Sequence, residues 1–468
     1  MAGKTPSRTL LWFRRNLRVD DQPLFDCLSG PAIGVWVLDP RELLSDDPHG
    51  FPRCSDRRLK FLLESVADLR RSLRKLGTEL IVRVGEPETV IPQLAAHLEA
   101  TYLRFVREPG TEERSVEKRL LSAMANQTQP ITTDPLPHET LFDIQDPLSH
   151  AGELPEVFSK WRRRCEKKLD FGQPISTPNV IEPIQSDIDQ SKIPSLTDLG
   201  RETPNDDPRA VLNFTGGEHA GLKRLQSWIF EGDHLRRYKE TRNGLIGESY
   251  SSKFSPWLAL GCLSPRRVAE QTLAYEKTRV SNDSTYWLRF ELMWREYFRL
   301  YLLKHGGALF RVSGPQQVLL DWSQDAGRFN TWREGQTGID FIDANMYELA
   351  CTGFMSNRGR QNVASFLTKN LGIDWRWGAR WFESCLIDYC PAANWGNWAY
   401  SAGVGADPRG FRGFDVVSQA RRYDPEGRYN ALWLSDRLAK VEPMIEPSRS
   451  LSDAEARWQA AVGLNPKG

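Results

Sequence analysis

The stretch "GQPISTPNVIEPIQSDIDQSKIPSLTDLGRETPNDDP", Gly172 to Pro208, decides the fold, because one periodicity stops before it and another starts after it. Pro, Ser, Asp and Gln dominate it, and no apolar repeat survives. It reads as a connection between domains, long enough to wrap across a surface. On its N-terminal side strands and helices alternate. "TLLWF" (9–13), "AIGVWVL" (32–38), "ELIVRVG" (79–85) and "YLRFV" (102–106) read as strands. Between the second and third, Leu59, Leu62, Leu63, Val66, Leu69, Leu73 and Leu76 form a helical stripe closed by Gly77. Pro87 to Ala100 reads as a helix with Pro in its first turn, and Glu112 to Ala125 as another. Alternation of this kind makes a parallel sheet covered on both faces. On the C-terminal side, "GLKRLQSWIF", "SPRRVAEQTLAY", "YWLRFELMWREYFRLYLL", "NVASFLTKNL" and "ARWFESCLIDY" space their apolar residues three or four apart. The expected organisation is an α/β domain over 1–135, an interdomain linker over 136–208, an all-helical domain over 209–440 and a short tail over 441–468.

Composition excludes several classes. The chain of 468 residues is 40% hydrophobic and 26% charged, as expected of a soluble protein with more than one core. No apolar run approaches the roughly 18 residues of a membrane span. "LLWF" is too short for a signal peptide before Arg14 and Arg15 interrupt it, so a cytoplasmic protein is expected. The seven cysteines are scattered, with no CxxC pair and no zinc or iron–sulfur spacing. "RRNLRVDD" stands after the first strand where a G-x-G-x-x-G dinucleotide fingerprint would lie. Net charge is +1, so a nucleic-acid site has to be a local basic patch. Of 16 tryptophans, 13 lie at or after Trp228. Most suit a helical core rich in indoles, given the area that aromatics bury.

Five long, ordered motifs carry a resemblance: "LLWFRRNLRVDDQPLF" (10–25), "SSKFSPWLALGCLSPR" (251–266), "WREYF" (294–298), "TGFMSNRGRQNVASFL" (352–367) and "NWGNWAYSAG" (394–403). The chain resembles the photolyase/cryptochrome family, and in detail its DASH cryptochrome branch, to about residue 437. The resemblance implies an α/β antenna domain with a doubly wound parallel sheet of five strands, a long linker and an all-α FAD-binding domain. It implies a flavin enzyme driven by blue light, in which reduced FAD donates an electron to a cyclobutane pyrimidine dimer. The protein binds, orients and tunes the cofactor.

Residue by residue, Ser251, Ser252, Lys253, Phe254 and Ser255 match the family's phosphate-binding run. Hydroxyls and backbone N–H groups ahead of a helix suit a pyrophosphate; read alone, the run is a serine-rich N-cap. Tyr238 matches a phosphate contact and Asn357 a contact on the flavin side. Arg360 and Asp388 match an ion pair beside the isoalloxazine, where a guanidinium stabilises anionic reduced flavin. Without the resemblance they read as a salt bridge between helices. Asn394 matches the residue facing flavin nitrogen 5, whose N–H a neutral amide can accept; alone it reads as a turn residue. Cys390 stands where the family usually has a second Asp, and a thiol accepts hydrogen bonds poorly. The glycines around Asn394 are expected to let backbone approach the isoalloxazine.

Trp398, Trp375 and Trp322 match the family's electron relay, from flavin to surface, whereas Trp332, Trp377, Trp381 and Trp395 read as core. Glu291, Trp294, Arg358, Gln361, Tyr400 and Arg412 match the lesion site. Glu291 and Trp294, three apart, share a helix face. The family's carboxyl group hydrogen-bonds the damaged pyrimidines and its indole stacks on them. Arg358 and Arg412 match phosphate grips; Arg412 also reads as a solvated surface charge. Gln361 and Tyr400 stand where ordinary dimer photolyases carry Met and Trp. They make a more polar pocket, in keeping with the branch's preference for lesions in single-stranded DNA. Glu112 matches the branch's contact to a methenyltetrahydrofolate antenna, or is a first-turn Glu favoured by the helix dipole. The resemblance thus implies a monomeric DNA photolyase. The alternative is a blue-light receptor with little repair, which the roughly thirty residues after Arg437 do not favour, since signalling cryptochromes usually carry long tails.

Overall fold

A computed structural model describes residues 7–127, 131–144, 146–190, 192–406, 411–436 and 442–461. Five parallel strands, β1 (Thr9–Trp12), β2 (Ala32–Leu38), β3 (Leu80–Val84), β4 (Tyr102–Val106) and β5 (Thr132–Leu136), form a sheet of order β3-β2-β1-β4-β5. β1 and β2 are buried along their whole length, as continuous apolar runs in a doubly covered sheet must be. Helices α1 (Asp56–Lys75), α2 (Pro87–His97) and α3 (Thr111–Ala125) cross between strands. The side chain of Ser55 caps α1 by accepting from the Arg58 N–H, and the leucine stripe from Leu59 to Leu73 is buried. Each such leucine stabilises the packing by about 2 kcal/mol.

The expected linker, 136–208, is only partly one. It contains α4 (Pro147–Gly152) and α5 (Phe158–Lys168), and Phe158, Trp161 and Cys165 of α5 are buried in the large core. Beyond them, among the described residues up to 208, the chain runs without α-helix or strand apart from one 3-10 turn at Thr197–Leu199, but it is pinned. The Ala32 N–H donates to the Glu182 carbonyl at 2.8 Å, Ile181 N–H to Leu76 at 2.6 Å and Val82 N–H to Gln190 at 3.2 Å.

Past Leu136 every regular element among the described residues is helical. The site is carried by α6 (Ser255–Ala259), α7 (Pro265–Thr278), α8 (Asp283–His305), α9 (Asp340–Thr352), α10 (Asn357–Ser365), α11 (Trp375–Cys385) and α12 (Pro391–Ala402). Asn282 and Thr285 close a capping box at the start of α8, which fixes the register of Glu291 and Trp294 two turns on. α11 packs against α12, and α8 against α12. The stretch 441–468 is not a loose tail: within its described residues, α13 (Pro447–Ala461) docks on the chain around Asn370, with Trp458 buried. Residues 441 and 462–468 lie outside the described residues.

Candidate functional site

Three sets of side chains converge on the helical domain. The first is centred on Arg360 and Asp388. Nη1 and Nη2 of Arg360 donate to the two carboxylate oxygens of Asp388 at 3.0 and 2.8 Å, and Nε donates to the Met355 carbonyl at 2.9 Å. The Asp388 side chain is only 1% exposed and Arg360 25%, so one guanidinium face stays open. Asn394, buried on α12, donates Nδ2 to the Ala379 carbonyl at 2.9 Å. That bond aims Oδ1 the other way, as an acceptor. Asn357 is exposed at the first position of α10. Cys390 is buried at the N-cap of α12 and makes no side-chain capping bond; the guanidinium groups of half-buried Arg295 and buried Arg299 stand within its electrostatic reach.

The second set is the serine-rich loop. Arg224, which the sequence does not flag, donates to the carbonyls of Glu248, Ser251 and Ser252 at 2.7, 3.3 and 3.0 Å. The Trp228 indole N–H donates to the Ser249 carbonyl at 3.1 Å. With these carbonyls engaged, an incoming anion meets N–H groups and hydroxyls. Two side chains of the run point away from solvent. The Lys253 ammonium turns inward, onto the Tyr250 ring at 3.4 Å and the Glu248 carbonyl at 3.0 Å, and burial pushes it down to about 6. Phe254 is core, edge-on to Trp228. Both therefore serve the loop through backbone. α6 is one turn long, so its dipole adds little, and Ser251, Ser252 and Ser255 carry the hydroxyl donors. Tyr238 is buried, and its hydroxyl is pushed up by that burial and by the nearby Glu291. Hydroxyls for a pyrophosphate, a half-open guanidinium and an amide acceptor for a ring N–H together make a donor set that fits a flavin dinucleotide.

The third set lies on α8. Glu291 Oε1 accepts from Arg242, and from the Trp287 indole N–H at 3.1 Å. Burial pushes its carboxyl up, against the pull of Arg242 and Trp287. The Arg242 guanidinium lies 5.0 Å from the Trp287 ring centroid. Next to it in sequence, Asn243 accepts from Arg358 Nη2 at 3.0 Å, and Arg358 Nη1 donates to Gln361 at 2.9 Å. Trp294 and Tyr400 stand edge to face with centroids 6.2 Å apart, and the Tyr400 hydroxyl accepts from exposed Arg412. Arg358 and Gln361 thus reach the Arg242–Asn243 segment that holds Glu291, while Trp294, Tyr400 and Arg412 form a second contact group on the same helix, α8, and its neighbour α12. The expected free indole platform is narrower than foreseen: Phe158 of α5 lies parallel to Trp294 at 3.7 Å, covering one face.

The tryptophans named in the sequence lie as follows. Trp398 is buried, edge-on to Phe382 at 5.0 Å and to Trp332 at 6.1 Å. Trp375, fully buried, donates Nε1 to the Val312 carbonyl at 3.0 Å, and its ring neighbour is Trp395 at 5.7 Å. Trp322 is half-buried. Two glycines permit close helix packing. A Cβ at Gly378 would overlap Trp398, and one at Gly396 would overlap Phe298. Gly403, at φ 85°, ends α12 in the left-handed region.

A separate cavity of about 810 Å³ opens beyond the C-terminal ends of β1 and β4, where the strand order reverses and open α/β sheets bind ligands. Arg14, Arg15 and Glu108 line its sheet side, and Tyr389, Pro391 and Trp395 its helical side. Glu112 stands at its rim, bonded to Arg53 at 2.9 Å and 71% exposed. Glu113 lies deeper and is pushed up to about 7, chiefly by burial.

An anchored donor loop, an Arg–Asp pair and an aromatic pair beside a carboxyl lie on one helical domain behind a parallel sheet, the setting of a flavin-binding protein of the photolyase type. The comparisons agree. Residues 9–179 match the DNA photolyase family model, and residues 287–463 match the FAD binding domain of DNA photolyase. The chain is 48% identical over 475 residues to a cryptochrome DASH of Gloeobacter violaceus, covering 99% of this chain and 92% of that one. It is 43% identical to a cryptochrome DASH of Danio rerio, covering 98% and 89%. Among solved structures, a Synechocystis cryptochrome superposes with a TM-score of 0.90 at 41% identity, covering 97% of this chain and 99% of that one. A class III photolyase of Agrobacterium tumefaciens gives 0.81 at 25% identity, covering 99% of both. The chain belongs to the photolyase/cryptochrome family, in its DASH cryptochrome branch. Among the described residues no helix is long and apolar enough to cross a membrane.

Proposed function

We propose that the protein is a deoxyribodipyrimidine photo-lyase that repairs cyclobutane pyrimidine dimers under blue light, preferentially in single-stranded DNA, acting as a cytoplasmic monomer. Bound FAD supplies the one-electron chemistry. The observation that carries the reading is the Glu291 carboxyl, held by Arg242 and Trp287 on the helix that also carries Trp294, which stands edge to face with Tyr400. A carboxyl held there is placed to hydrogen-bond a pyrimidine and to stabilise charge that develops on it. Arg360 balances negative charge on the cofactor, Asp388 fixes the guanidinium plane, and Asn394 Oδ1 holds a ring N–H.

A flipped-out lesion is held by stacking worth about 1–3 kcal/mol per base. With Tyr400 in place of a larger indole, and one Trp294 face covered by Phe158, the pocket offers less stacking to offset unpairing. A lesion already unpaired suits it better. Trp398, Trp375 and Trp322 are proposed to relay electrons to the cofactor, and Trp395, in ring contact with Trp375, joins them as a bridging indole. The cavity at the sheet's switch point is proposed to take methenyltetrahydrofolate, with Glu112 at its rim.

The test irradiates reduced, flavin-loaded protein with dimer-containing oligonucleotides, single-stranded and duplex, and counts restored thymines. Repair of the single strand is expected, with Glu291→Ala losing it while FAD is retained. Repair of neither substrate would refute the enzyme and promote the blue-light receptor. Full repair by Glu291→Ala would remove that residue's role.

A further inference from the structure

One indole belongs to two places at once. Trp395 lines the helical side of the cavity at the sheet's switch point, and its ring stands edge-on to Trp375 with centroids 5.7 Å apart. Phe310, which also lines the cavity, stands edge-on to Trp395 at 5.0 Å. Trp395 is 6% exposed and Trp375 fully buried, and both belong to the large core. Their contact is therefore made inside the protein, whereas Trp322, at the other end of the proposed relay, is only half-buried.

The rest of the cavity wall suits a flat aromatic guest with a polar edge. Trp12 and Trp36 bring ring faces to it, and Arg15 and Glu113 bring a hydrogen-bond donor and an acidic group. A guest seated against this wall is one indole away from Trp375. Electron transfer between rings falls steeply with the separation of their edges, so ring contact decides which path is open. It also needs a ring that gives up an electron readily. An indole does so and a phenyl ring does not, so of the two rings on this side Trp395 is the conductor and Phe310 its packing.

We infer that the cavity is a second entry point for electrons, at which a bound reduced pterin refills the relay through Trp395. The inference rests on reading the cavity as a pterin site and Trp375 as a member of the relay, and it gives the occupant of that cavity a chemical task besides gathering light. The step balances as follows. Once the relay has passed an electron to the cofactor, Trp375 is one electron short. It takes an electron from Trp395, and Trp395 takes one from the reduced pterin. The pterin loses that electron together with one N–H proton, which goes to water. No bond forms, and the relay returns to its starting state.

The test uses the full-length chain with oxidised FAD bound, in the absence of oxygen. The probe is tetrahydrofolate, and folate, whose oxidised pterin ring has no electron to give, is the control. Equilibrium dialysis in the dark measures occupancy, and the initial rate of flavin bleaching under blue light measures electron entry. The rate should rise with tetrahydrofolate and level off as the cavity fills, and excess folate should reverse the rise. In Trp395→Phe the rise should be lost while dialysis still shows tetrahydrofolate bound. A rise that never levels off, or one that survives in Trp395→Phe, overturns the inference, since the donor then meets the relay at the surface. Should Trp395→Phe lose the probe or fail to fold, Trp322→Phe decides. With the surface indole gone, a bulk thiol should no longer sustain bleaching, and tetrahydrofolate still should; loss of both overturns the inference. Binding of tetrahydrofolate without any rise refutes this inference alone. Failure of both folates to bind refutes the pterin cavity and this inference with it.

Discussion

Replacing Gly378 with Ala tests how α11 seats Trp398. An added Cβ would fall 2.5 Å from Cζ3 of Trp398 and 2.6 Å from Cδ2 of Leu367, and nearer still to Cη2. Carbon atoms pack best from about 3.5 Å, so the indole or the helix must yield by about 1 Å. Overpacking of this kind costs about 1–3 kcal/mol. Exchanging Gly for Ala within a helix returns about 1 kcal/mol. The expected net loss is about 1 kcal/mol, with an upper bound near 2. Phenylalanine lacks both offending ring atoms, and the Leu367 methyl can rotate away. In a Trp398→Phe background the same glycine substitution should therefore be neutral or stabilising. The coupling between the two sites, read from a double-mutant cycle by urea denaturation with constant slope, should be about 1–3 kcal/mol. A coupling below about 0.5 kcal/mol would show that Trp398 is not seated against Gly378.

Three further outcomes are expected. Asp388→Asn leaves the Arg360 guanidinium, three-quarters buried, without its carboxylate. Flavin retention should drop by about tenfold, a cost of about 1.4 kcal/mol, well under that of breaking a fully buried pair. The flavin-to-protein absorbance ratio after gel filtration measures it, and an unchanged ratio counts against the pocket. Glu348 is fully buried, accepts from Tyr429 at 2.6 Å, and is pushed up to about 8 by that burial. An unfolded carboxyl titrates near 4.3, so between about 4.3 and 8 the folded chain holds a proton that the unfolded chain has released. The contribution is therefore fully present at low pH and lost as pH rises through the folded value. Glu348→Gln should gain on the parent by on the order of 2 kcal/mol from pH 5 to pH 9 in urea titrations; a gap constant with pH would refute a protonated Glu348. Finally, Trp398→Phe should abolish photoreduction of oxidised flavin, read as bleaching under blue light, while flavin stays bound. Normal photoreduction there would remove the relay.

Alternation over the first 106 residues was legible because those strands are buried on both sides, and their apolar runs say so. β5 was not legible from its residues. Its "TTDPL" places Asp134 and Pro135 in an edge strand, where charge and a missing N–H are tolerated. α5 was absorbed into the linker because six cations hide an apolar spacing of only Phe158, Trp161 and Cys165. The Glu291–Trp294 wall was visible as a spacing of three on one helix. Arg242 was not, since nothing local ties it to a carboxylate 49 positions away. The same holds for Arg224 beneath the serine loop. Ring contacts obey distances that spacing cannot supply, which is why the contact of Trp375 with Trp395 was not legible.

The pinned segment after Gly172 has a consequence for how copies of the chain meet. β3 is the outer strand of the sheet, and an exposed outer strand invites a second molecule to extend the ladder. Here the Val82 N–H is given to Gln190, and the Arg83 guanidinium reaches the Asp189 carbonyl at 2.6 Å. The segment that joins the two domains thus also occupies part of the β3 border, leaving fewer of its backbone groups as a template for a second molecule.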